Sequence, residues 1–288
     1  MGDTWLWNGN SWQNVTDQVY GPSPRAGAPC RMIEEDGKIY LFGGRRNGNF
    51  LNDLWADGMG KEMDKLSDHV ESVWKGPRKN GSPQDATGNL ILFGGMDEMG
   101  FLTDMWRWDE IPGRIDPPSH RPDFSAVATD EENGQVLLFG GIEGFLESMG
   151  DTWAWNGLEW IKKRPSTSPS PRVSASMAFD GRHILLFGGS YYDSVEGSDY
   201  YYNDTWVWDG ENWRKIDTPT DATPPGRTGA ALAYNPLTGQ VVMFGGYGSN
   251  ESFWGDTWVW DGEAWNEFHQ PEGSPSPSPM EGVSLAYD

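Results

Sequence analysis

Two patterns of apolar residues alternate along the chain. The first is continuous: Ile39–Phe42, Leu90–Phe93, Val136–Phe139, Ile184–Phe187 and Val241–Phe244, each closed by a Gly-Gly pair. Four apolar residues bounded by turn signals read as a strand buried on both faces. The paired Gly predicts an unusual φ or a close backbone approach at the strand end. The second pattern alternates. In Asp204-Thr205-Trp206-Val207-Trp208-Asp209-Gly210-Glu211-Asn212-Trp213, the first two Trp stand two apart and share one face of a strand. Asp209-Gly210 predicts a tight hairpin turn, and Trp213 opens the return strand. Upstream of each Gly-Gly strand lies a stretch of small and apolar residues, such as Val173–Phe179 and Thr228–Tyr234, joined to it by a Gly-bearing turn. Small residues there suit the crowded centre of a radial assembly.

The leading Trp of the alternating pattern sits at 5, 55, 106, 153, 206 and 258, at intervals of 50, 51, 47, 53 and 52 residues. Each unit reads as four strands: small-residue strand, Gly-Gly strand, Trp strand, return strand. Units of this size repeated end to end predict a solenoid or a propeller. The Gly-Gly strand followed by Asn-Asp-Thr-Trp-x-Trp-Asp-Gly resembles the Kelch repeat, most closely its bacterial form, and the propeller of galactose-oxidase-like proteins. The resemblance covers nearly the whole chain. It implies an all-β fold: a six-bladed Kelch-like β-propeller of four-stranded blades, with residues 1–288 as one domain. Five complete blades would occupy about 22–270, and the sixth would be built from 1–16 and 280–288 without its Gly-Gly strand. An incomplete blade exposes strand edges and implies self-association. Two stretches depart from the pattern. Ala56–Ser82 lacks a second Trp and a clean Asp-Gly turn, and Asp64–Val73 reads as a short helical turn. Val283–Tyr287 reads as a final small-residue strand.

Composition adjusts this picture. The formal net charge is -22, which repels phosphate backbones and argues against nucleic acid as a partner. The 17 Trp supply large core-filling groups to a chain that is only 36% hydrophobic. No stretch reads as a membrane span or a signal peptide, so a soluble protein is expected. The one cysteine, Cys30, cannot form an intrachain disulfide.

Chemistry is sparse. A galactose-oxidase site needs copper held by His and Tyr with a Cys–Tyr crosslink, but Cys30 reads as a small buried hydrophobe and His69, His120, His183 and His269 are scattered. The Glu-x3-Asp-x3-Asp cluster of iron-dependent specifier proteins starts at Glu147 and Asp151 and fails at Trp155. Asp193, Glu196 and Asp199 do not have the spacing of a calcium loop and read as a solvated loop. No catalytic residue, metal ligand or cofactor is assigned. The six equivalent Asp at 3, 53, 104, 151, 204 and 256 read as structural, fixing the entry to each Trp strand.

The informative loops join the Gly-Gly strand to the Trp strand. From the second Gly to the repeat Asp they step 9, 9, 10, 15 and 10 residues, and they are rich in aromatics. Variable loops on a rigid scaffold are where binding sits. The expected binding face comprises Arg45, Arg46, Tyr191, Tyr192, Tyr247, Phe253 and Trp254. Arg25, Arg172 and Arg227, at the start of inner strands, either ring a channel mouth or satisfy carbonyls and carboxylates of neighbouring blades. The function expected is a binding module for a protein or carbohydrate partner. The alternative is a sugar-active enzyme resembling galactose oxidase or a sialic acid epimerase.

Overall fold

The computed structural model describes residues 3–16, 30–33, 38–47, 49–57, 63–67, 90–97, 100–108, 113–115, 124–143, 147–194, 197–219, 222–248 and 252–287. Among these residues the fold is all-β, with antiparallel sheets and no α-helix. The third sheet runs Ala126–Asp130, Gln135–Phe139, Thr152–Trp155, Trp160–Lys162 in sequential order. The fourth repeats it with Ser176–Phe179, Ile184–Phe187, Thr205–Trp208 and Trp213–Ile216, and the fifth with Ala231–Asn235, Gln240–Phe244, Thr257–Trp260 and Trp265–Phe268. The first sheet holds Cys30–Ile33, Lys38–Arg46, Asn49–Asp57 and Met63–Ser67; the second holds Leu90–Asp97, Gly100–Trp108 and Gly113–Ile115. An N-terminal hairpin pairs Trp5–Trp7 with Trp12–Asn14.

Three expectations are corrected. Met63–Ser67 is a strand paired with Asn49–Asp57, so the helical turn expected from Asp64 does not form there; residues 68–73 lie outside the described residues. Residues 283–287 form no strand. The small-residue stretches break in the middle: Val173 makes an isolated bridge to Ser190, and Arg227–Thr228 leaves for a separate small sheet before Ala231 begins the inner strand. Ser174 and Gly229 at these breaks have φ of 51° and 62°, which turns the chain between the two sheets.

In the third, fourth and fifth sheets the Gly-Gly strands are buried on both faces, as their unbroken apolar runs imply. Leu185 and Phe187 pack toward Val241, Met243 and Trp265 of the fifth sheet. Ile184 and Leu186 pack toward Leu137 and Phe139 of the third. Hydrophobic core therefore lies between consecutive sheets, stacked face to face.

The Gly-Gly pair serves the same stacking. Gly188 and Gly189 have φ of 68° and 93°, a region that side-chain-bearing residues seldom adopt. A Cβ on Gly188 would meet the carbonyl oxygen of Arg227, in the small sheet that leads into the next unit, at 2.5 Å. That carbonyl accepts a hydrogen bond from Gly189 N at 2.9 Å; Arg172 O and Met280 O do the same for Gly141 and Gly246.

A second contact is made farther out. The return-strand Trp of one sheet donates its indole N–H to the Thr hydroxyl of the previous sheet: Trp213 to Thr152 and Trp265 to Thr205, each at 2.9 Å. Each ring also meets a Phe of that sheet edge-on, Trp213 with Phe139 and Trp265 with Phe187. The N-terminal hairpin uses the identical device. Trp12, 4% exposed, donates to Thr257 at 2.9 Å and stands edge-on to Phe244. At the inner end, Gly282 N bonds Gly229 O at 3.0 Å, as Gly229 N bonds Ser174 O at 3.1 Å. Both terminal segments thus contact the fifth sheet through bonds that elsewhere join one sheet to its successor.

Candidate functional site

In the third to fifth sheets the Trp strand is entered through its Asp, whereas Asp53 and Asp104 lie within the longer strands Asn49–Asp57 and Gly100–Trp108 of the first two. Asp53, Asp151, Asp204 and Asp256 accept the indole N–H of the Trp two residues later, each at 2.7 Å. In the fourth and fifth sheets the same carboxylate holds an arginine. Arg172 grips Asp204 through two nitrogens at 2.5 and 3.0 Å and donates to the Gly188 and Ser170 carbonyls. Arg227 grips Asp256 at 2.6 and 2.7 Å and donates to the Gly245 and Pro225 carbonyls. Burial pushes both carboxyls up, but the arginine bonds and charge, with the indole bond, outweigh it and hold them below the ordinary carboxylate value. Each guanidinium also lies over an aromatic ring, Arg172 at 3.8 Å from the Tyr202 centroid and Arg227 at 4.8 Å from Trp254. Burial raises the Tyr202 phenol against the opposing Arg172 charge. Arg172 and Arg227 are each 1% exposed, and their guanidinium bonds go to groups of their own units, not to carbonyls or carboxylates of neighbouring ones.

Short hairpins project between the second and third strands of these sheets. One pairs Ser190–Asp193 with Ser198–Tyr201. Another pairs Tyr247–Gly248 with Ser252–Phe253, and Arg227–Thr228 extends it. The period-2 alternation of a strand splits the aromatics between two faces. Tyr191 stands opposite Tyr200, and both rings, with Tyr202, cluster on one side. Tyr192 stands opposite Asp199 on the other side, which it shares with Tyr201. Tyr201 meets Tyr247 of the next hairpin at 6.1 Å, and Tyr247 meets Phe253 at 5.3 Å. The two consecutive hairpins are thereby joined into one aromatic face whose open ends are Tyr192, 43% exposed, and Phe253, 52% exposed.

Of the five aromatics expected together, the structure brings Tyr192, Tyr247 and Phe253 to this face. Tyr191 belongs to the opposite cluster, and Trp254 covers Arg227. Arg45 and Arg46 lie in another sheet, in register with Phe50 and Asn49, with Arg46 exposed; Arg25 lies outside the described residues. Tyr201 and Asp199 join the face beyond the residues expected there. Counting alternate positions through 190–193 and 198–201 would have grouped both with Tyr192.

Comparison with known proteins adds the family. The profile of the KLHDC2/KLHL20/DRC7 Kelch-repeats domain matches residues 101–288. The chain belongs to the Kelch-repeat family. This Kelch chain is similar to tRNA wybutosine-synthesizing protein 4 of Aspergillus fumigatus, 32% identical over 141 residues, covering 46% of the chain and 13% of that protein. It is similar to an F-box/kelch-repeat protein of Arabidopsis thaliana, 27% identical over 224 residues, covering 67% of the chain and 44% of that protein. Dynein regulatory complex subunit 7 of Chlamydomonas reinhardtii is 29% identical over 112 residues, covering 35% of the chain and 10% of that protein. The matched stretch is thus under half the length of each of these relatives. None of the three is bacterial, and they lend no support to the bacterial subtype of the repeat.

Proposed function

We propose that this Kelch chain is a protein-interaction module whose binding surface is the face of Tyr192, Tyr201, Tyr247 and Phe253. One observation carries the reading: two hairpins, anchored by buried Arg–Asp pairs, are joined by ring contacts yet leave large aromatic surface exposed. Tyr and similar rings give a partner much contact area at modest entropic cost. The names of the relatives agree with it, one being a subunit of a regulatory complex. The scaffold belongs to the same reading: a six-bladed propeller whose last unit combines the N-terminal hairpin with residues 280–287.

The test uses a displayed random-peptide library and a glycan array, each probed with wild type and with a Tyr192→Ala/Phe253→Ala variant. Peptides enriched on wild type and lost on the variant are expected. Face-dependent binding to glycans alone would replace the protein partner with a carbohydrate. Peptide binding that the variant retains would place the surface elsewhere.

A further inference from the structure

We infer that the aromatic face takes a cationic segment of a partner protein, with a Lys or Arg side chain laid over Tyr192 beside Asp199. This rests on the protein-interaction reading above and names the chemistry of the partner. Tyr192 and Asp199 are a directly opposed cross-strand pair on one face, and both are exposed. A ring next to a carboxylate attracts a cation twice, through the ring quadrupole and through the formal charge.

The molecule already contains this arrangement internally, twice. Arg172 is held by the Tyr202 ring and the Asp204 carboxylate, and Arg227 by Trp254 and Asp256. Both lie at the base of the same two hairpins. The hairpin segments 190–201 and 247–254 carry Asp193, Glu196, Asp199 and Glu251 and no Lys or Arg, so the exposed ring and carboxylate have no cation from their own segments. The nearby Arg172 and Arg227 are buried and each is gripped by its own Asp, so neither opposes an incoming charge at full strength. Charge over the whole chain, at -22, favours the same partner and steers its approach.

The experiment titrates the full chain with three fluorescent peptides of one Gly-Ser design bearing Arg, Gln or Glu at every third position, in about 0.15 M salt, where long-range attraction is screened. The Arg peptide is expected to bind about tenfold tighter than the Gln peptide, with the Glu peptide weakest. Tyr192→Ala/Phe253→Ala, which leaves the net charge unchanged, should weaken Arg-peptide binding by about fivefold or more, and Asp199→Asn by about two- to threefold. Equal binding of the Arg peptide to wild type and to Tyr192→Ala/Phe253→Ala would mean attraction by bulk charge, and would overturn the inference. Library peptides that depend on the face but show no enrichment in Lys or Arg would also overturn it while leaving the protein-interaction reading intact. A library with no face-dependent clones would overturn that reading itself.

Discussion

At the scale of single residues, the repeated Asp does two separate jobs. Before the Trp strand, Asp204 and Asp256 neutralise buried arginines; after it, Asp209 and Asp261 cap the turn. Removing a partner from the first kind leaves a buried guanidinium uncompensated, so Asp204→Ala should cost about 3–5 kcal/mol, read as a lower urea midpoint at unchanged slope. The second kind is more forgiving. Asp209 accepts the amides of Glu211 and Asn212, and Asn8 and Asn156 make the same two bonds at their turns. Asp209→Asn should therefore change stability at pH 7 by about 0.5 kcal/mol or less. The folded-state pKa is depressed at Asp204 and Asp256, by their arginines against burial, and also at Asp209, where the Asn212 amide leads. Depressed carboxyls stabilise the fold above the unfolded value of about 4, and that contribution is lost as pH falls through the lower folded values. Urea midpoints should thus hold from neutral pH down to about 5 and fall below about 4. The sequence disclosed the structural role of these Asp through their six equivalent copies. It left the role of Arg172 open, because a charge 32 positions from its partner has no local signature.

At the scale of elements, glycine separates turn chemistry from sheet stacking. Gly157 has φ of 94° with open space around it, whereas Gly188 has φ of 68° and the Arg227 carbonyl where a Cβ would go. Gly157→Ala should cost about 1–2 kcal/mol for the left-handed conformation alone. Gly188→Ala carries that cost plus about 1–3 kcal/mol for displacing a packed neighbour. Equal losses in parallel thermal melts would show that the Gly-Gly pair does not govern sheet spacing. The strands themselves were legible, because burial on both faces and the Asx-Gly turn write themselves into four or five consecutive residues. Less legible were the breaks at Ser174 and Gly229, where the chain changes sheets, and the division of the tyrosines between two faces. Loop length suggested one patch; the pleat of the Ser190–Asp193 hairpin divides it.

At the scale of the whole molecule, the return-strand Trp links unit to unit. The sequence presented every such Trp and the Thr of every Asp-Thr-Trp, but the bond between them spans 60 or 61 residues and follows only from stacking. If Trp12 joins the terminal hairpin to the fifth sheet as Trp265 joins the fifth to the fourth, Trp12→Ala should cost about 3–5 kcal/mol, much as Trp265→Ala does. A loss under about 1 kcal/mol at Trp12 alone, by urea titration, would reduce the hairpin to an appendage. The proposed binding face lies outside this stacking, so Tyr192→Ala/Phe253→Ala should leave the melting temperature nearly unmoved while partner capture falls. The sameness of these joints carries a further cost. A hairpin fastened by one indole–hydroxyl bond and two edge-on ring contacts, Trp12 with Phe244 and Trp7 with Phe268, has no means of telling its own fifth sheet from that of a neighbouring copy. In concentrated solution, hairpins freed by transient fraying should trade places between molecules, giving swapped dimers whose every local contact is native. Such dimers would form on storage and survive dilution for as long as the joint stays shut, read as a slowly relaxing dimer peak in size-exclusion chromatography.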